Sequence, residues 1–181
     1  MTALFLAYAL AGAVTYGVER FFFWRKKTAG VPKVFGPGAL KSALLALLLG
    51  GAAALFGNGY LHFVLGHGLF PEDMLRGPKV GRESLPWLLA LCVVAAPLFE
   101  EFIFRGLIFG GLRRSLGLWP SALASTVIFA MVHSPISFVP LLVLGIMAAL
   151  AYERTGLLLA PMLVHGIYNA AVVGYQVMVA G

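Results

Sequence analysis

Long apolar runs constrain this chain more than any other feature. Six segments, near residues 2–19, 38–57, 87–111, 119–139, 138–153 and 156–178, are almost uninterrupted by charge. A helix of about 20 residues crosses the roughly 30 Å of hydrocarbon in a bilayer. Inside lipid every backbone polar group needs a protein partner, which leaves helices or closed barrels. The runs lack the strict alternation of a barrel strand, so they read as helices. The expected fold is all-α, a polytopic transmembrane helical bundle of about six spans. Composition agrees: 61% of residues are hydrophobic and 11% charged, against about 25% charged in soluble domains.

The formal net charge of +6 raises the question of nucleic acid, and its distribution answers no. Arg20, Arg25, Lys26, Lys27 and Lys33 lie between the first two apolar runs, where basic residues fix topology. Charge comes after the first apolar run instead of before it, so that run reads as an uncleaved span, unlike a signal peptide. With six spans, the loops at 20–37, 112–118 and 153–155 share a side and carry eight basic residues; the loop at 58–86 carries three. The richer side is then cytoplasmic and both termini lie outside. The single cysteine, Cys92, sits in an apolar run and reads as a small buried hydrophobe.

Against this background the polar residues inside the spans carry the information. The third segment, PWLLALCVVAAPLFEEFIFRGLIFGGL, holds Glu100, Glu101 and Arg105; the fourth holds His133; the sixth holds His165 and Asn169. A charged residue at mid-membrane costs about 2.5–3.5 kcal/mol on insertion scales. Glu101 and Arg105, four apart, share a helix face and can pair. Glu100 points about 100° from Glu101 and about 140° from Arg105, which leaves it as the carboxylate without an obvious cation and the better candidate for chemistry. Measured along ideal helices, Glu100 lies about 16 Å deep, His133 about 21 Å, His165 about 14 Å and Asn169 about 20 Å. Taken singly, each histidine fits an interhelical hydrogen bond, and His165 with Asn169 fits interhelical glue. Agreement of four residues in one layer about 7 Å thick favours a site. His62 and His67, five apart in a glycine-rich stretch, share no helix face and read as structural.

Three patterns occur in order, each on its own apolar segment: EExxxR at Glu100–Arg105, FxxxH from Phe129 to His133, and HxxxN from His165 to Asn169. Together they resemble the CPBP family, the CAAX protease and bacteriocin-processing proteins, or Abi/Rce1-type intramembrane glutamic proteases. The resemblance covers roughly residues 85–178. It divides the chain into two spans with a basic loop and a variable polar loop (1–84) and a catalytic core of about four spans (85–181). It implies a CAAX prenyl protease 2-like peptide hydrolase. Glu100 and His133 would activate water, His165 and Asn169 would donate to the oxyanion, and Glu101, Arg105 and Phe129 would support the site. It implies no cofactor and no metal, a substrate with a membrane-proximal segment, and work on C-terminal or leader signals. The short chain suggests the inner membrane of a prokaryote.

Other readings of the same residues stay open. Glu100, His133 and His165 can be written as a zinc site, although the two-histidine helix motif HExxH is absent. A non-catalytic bacteriocin-immunity or partner-binding protein on the same fold is the alternative function. A proton-coupled transporter is disfavoured by the short chain and the lack of an inverted repeat.

Overall fold

The computed structural model describes residues 32–70 and 83–180. The expected first span at 2–19, the basic residues Arg20, Arg25, Lys26 and Lys27, and residues 71–82 lie outside them. Among the described residues five α-helical elements occur in chain order: α1 (Ala39–His67), α2 (Leu85–Leu112), α3 (Leu118–Met131), α4 (Phe138–Thr155) and α5 (Leu159–Ala180). No strand occurs among the described residues, beyond one isolated bridge between Lys33 and Leu157. By length and composition α1, α2 and the stretch Pro135–Thr155 can cross a membrane. The fold is a helical membrane bundle.

Two boundaries differ from the sequence reading, each for a physical reason. The span expected to end at 57 continues to His67. Gly57 and its neighbours suggest a loop, yet a Cβ on Gly57 would lie 2.7 Å from the ring of Tyr168. That glycine serves the close approach of α1 to α5 and breaks nothing. α1 stops at Gly68, whose φ of 58° is the left-handed conformation that glycine adopts freely. The span expected at 119–139 is shorter: α3 ends at Met131. Ser134 is extended ahead of Pro135, because the proline ring disfavours a helical residue before it. A 3₁₀ turn, Pro135–Ser137, leads into α4. His133 therefore sits just past a helix end and not within a span.

Small residues let the helices meet. A Cβ on Gly145 of α4 would fall 2.5 Å from Thr126 of α3, and one on Gly166 of α5 would fall 2.7 Å from the Val93 carbonyl of α2. Without a hydrophobic force between helices in lipid, such close backbone packing is what holds them. Large apolar side chains point outward, among them Leu40, Leu47, Leu48 and Leu55 of α1 and Trp119 of α3, as expected of a lipid-facing surface.

One end of the bundle gathers three connecting segments. Arg113, just past α2, pairs with Glu153 near the end of α4 at 2.8 Å. The carbonyls of Lys33 and Val34 accept from the N–H groups of Leu158 and Leu159 at the start of α5, satisfying donors that a helix start leaves free. Segments 32–35, 113–117 and 153–158 thus share one side. Ser84 and Ser115 flank α2 at opposite ends. Cysteines at these two positions, in a Cys92→Ala background, are expected to react with an impermeant thiol reagent from opposite faces of the membrane, with Ser115 on the cytoplasmic one. Reaction of both from one face would contradict a spanning α2.

Candidate active site

Adjacent residues of a helix point about 100° apart, and this separates the two glutamates. Glu101 turns inward and is fully buried, as is Arg105. Its Oε1 accepts from Nη1 of Arg105 at 2.9 Å and from Nδ1 of His165 at 2.8 Å. Arg105 also donates through Nη2 to the carbonyl of Gly145 at 3.1 Å, and its guanidinium lies 4.8 Å from the ring centre of Phe129. One buried polar chain thereby ties α2, α4 and α5 together. The expected i,i+4 pair is present, joined by two partners that the sequence alone does not show.

Glu100 turns the other way. Its Oε2 faces Nε2 of His165 at 3.8 Å and Nε2 of His133 at 3.9 Å, beyond direct hydrogen-bond range. The Glu100 side chain is 15% exposed, with His165 at 3% and His133 at 30%, so the three are most exposed on the His133 side. Both imidazoles are fixed from behind. The Phe129 carbonyl can only accept, so Nδ1 of His133 donates to it at 2.8 Å. That carbonyl is available because α3 ends within one turn. Nδ1 of His165 likewise faces the Glu101 carboxylate, which accepts. In both rings Nε2 is then left to face Glu100.

Phe129 organises the aromatic side of the site. It is fully buried and meets Phe104, His133 and His165 edge to face at 5.0, 4.8 and 5.5 Å between ring centres. Edge-to-face contact is a favoured geometry for such rings. The FxxxH spacing thus supplies a packing ring and a backbone acceptor for the same histidine.

Asn169 lies one turn beyond His165 on α5. Its Nδ2 donates to the backbone carbonyl of Cys92 on α2 at 2.7 Å. The structure brings Glu100, His133 and His165 around one point, while one hydrogen of the Asn169 amide is spent on α2. Sequence reasoning also missed the Gly145 and Cys92 carbonyls. Pro97, inside an apolar helix, was the available signal for the second. Among the described residues no group of three or more His, Cys, Asp or Glu side chains is arranged to hold a metal ion.

The buried chain makes a separable prediction. Loss of one partner from a buried ion pair costs about 3–5 kcal/mol, because the other charge is stranded. Glu101→Gln and Arg105→Met are each expected to lower thermal stability in detergent strongly, and the double variant to lose less than the sum. Additive losses would contradict direct coupling.

Comparison with known proteins agrees with the motif pattern. Residues 82–171 match the family described as type II CAAX prenyl endopeptidase Rce1-like. The chain is 31% identical over 102 residues to the membrane-embedded CAAX protease MroQ of Staphylococcus aureus (strain USA300), covering 52% of this chain and 41% of that protein. It is 30% identical over 139 residues to YdiL of Bacillus subtilis (strain 168), provisionally named a membrane peptidase, covering 74% and 57%. An uncharacterized 24.3 kDa protein of Escherichia coli is 27% identical over 155 residues, covering 80% and 69%. The chain thus spans about half the length of the first two relatives. No solved structure matches. The matched segment contains the glutamates of α2, both site histidines and the asparagine of α5, and over these residues the chain is similar to the Rce1-like family.

Proposed function

We propose that this protein is an intramembrane endopeptidase that hydrolyses a peptide bond with water activated by Glu100. The observation that carries this reading is the convergence of Oε2 of Glu100 with Nε2 of His133 and His165, while both Nδ1 atoms are tied down. Three polar atoms facing one another form a seat for a water. Glu100 takes one proton as the water attacks the carbonyl carbon, and the protonated group returns it to the leaving amine. His133 holds the water. His165, when it carries a proton on Nε2, donates to the developing oxyanion. Glu101 and Arg105 hold His165 in place from the buried side.

The substrate is a peptide with a membrane-proximal segment, since the site lies among helices whose outer faces are apolar. Processing of a C-terminal or leader signal in a prokaryotic cell membrane fits that geometry, and both curated relatives with peptidase names are bacterial. The test uses the purified full chain in lipid vesicles with a pool of membrane-anchored peptides, read by mass spectrometry. Discrete cleavage sites near the anchor are expected. Tight capture of one peptide with no cleavage would favour the non-catalytic, partner-binding alternative.

A further inference from the structure

We propose that Asn169 is a positioning residue: its amide holds the Cys92 carbonyl that Pro97 leaves without a helical donor, and this clamp sets the direction in which α2 presents Glu100. The inference rests on reading Glu100 as the base.

The argument starts from a missing hydrogen. Residues Ala90–Ala95 form a π-helical stretch, and the N–H of Ala96 bonds the Leu91 carbonyl, five residues back. The next donor in that pattern belongs to residue 97 and points to Cys92. Residue 97 is a proline, fully buried, with no N–H to give. An unpartnered carbonyl in a lipid-embedded helix is costly, because little water is there to offer it a hydrogen. Asn169 fills the vacancy from across the helix interface at 2.7 Å. Three residues earlier, on the same face of α5, Gly166 lets the next carbonyl, Val93, come so close that a Cβ would sit 2.7 Å from it. Two successive carbonyls of α2 are therefore docked on one stripe of α5.

That stripe adjoins His165, one of the two imidazoles facing Glu100. Glu100 is three residues beyond Pro97, so it inherits whatever rotation the π-helical stretch imposes. Relaxing that stretch to regular α-helix shifts the register by one residue and turns the remainder of α2 by about 100°. A turn of that size would carry the Glu100 carboxylate away from both Nε2 atoms. The clamp thus acts on orientation and needs no contact between Asn169 and substrate.

Cys92 is the only cysteine in the chain, so feeding carbonyl-¹³C cysteine labels this one carbonyl. Its infrared band is read in the full chain in lipid vesicles, beside cleavage kinetics on the anchored peptides. Asn169→Ala is expected to move the band to higher frequency and to lower kcat at least tenfold with KM little changed. Adding Pro97→Ala restores a main-chain donor; the double variant is expected to bring the band back and recover most of the lost kcat. Should the alanine variant not fold, Asn169→Asp, the same size without the amide hydrogens, gives the same readouts. A band that stays put without the amide, or a double variant no better than Asn169→Ala, would overturn the proposal and favour a direct oxyanion role. The band needs no substrate, so failure of the clamp is distinguishable from failure of the hydrolytic reading, which Glu100→Gln tests.

Discussion

Glu100→Gln is expected to abolish peptide cleavage while the protein still inserts and folds. Glutamine has the size of glutamate and cannot accept the proton from water, and general-base assistance is worth about 10²–10⁴-fold. Loss of the carboxylate also removes the only anion facing the two Nε2 atoms among the described residues, so the observed effect should reach the upper part of that range. Stability should change little, because Glu100 makes no direct hydrogen bond among the described residues and is partly exposed. The neighbouring Glu101→Gln is the contrast: it strikes the buried chain and should cost stability first. Cleavage by Glu100→Gln at more than a tenth of the unmodified rate would remove Glu100 from the mechanism.

The histidines are expected to separate in the same two dimensions. His133→Ala and His165→Ala should each lower kcat by about 10²–10⁴-fold, as groups that hold the water or stabilise the oxyanion. His133 lies at the open edge of the site, with Nδ1 on the Phe129 carbonyl and its ring against that of Phe129, so its removal should spare thermal stability. His165 is buried and supplies the second donor to Glu101, so its removal should lower stability as well. Residues acting as a unit are strongly non-additive, and the double variant should be little worse than the poorer single one. Measured kcat values that multiply would indicate two independent roles. Equal stability losses would contradict the buried placement of His165 alone.

Much of this was legible in the sequence because lipid penalises charge so heavily. Glu100, Glu101, Arg105, His133 and His165 stood out against apolar runs, and helix geometry alone separated the paired Glu101 from the unpaired Glu100. The structure brings His133 and His165 to Glu100. The depth argument, however, treated His133 as part of a continuous span, whereas Pro135 ends α3 early and leaves His133 in the turn beyond it. The extension of α1 to His67 was hidden because Gly57 reads as a breaker until Tyr168 is seen packed on it. The partners of Arg105 and Asn169 were out of reach for a different reason. They are backbone carbonyls, of Gly145 and Cys92, and backbone acceptors are the same at every position. Only the break at Pro97 marked where one would be free. The donor set also left a metal open at the sequence level, since Glu, His and His are all competent ligands.

The most direct measurement combines isotope and chelator in one reaction. The purified full chain, in vesicles made in ¹⁸O-water, cleaves a membrane-anchored peptide in the presence of a strong zinc chelator. Water attack assisted by Glu100 and the two histidines predicts undiminished cleavage, with one ¹⁸O in the new carboxyl group and none when Glu100 is glutamine. Cleavage lost on chelation and restored by added zinc would contradict it and turn Glu100, His133 and His165 into metal ligands.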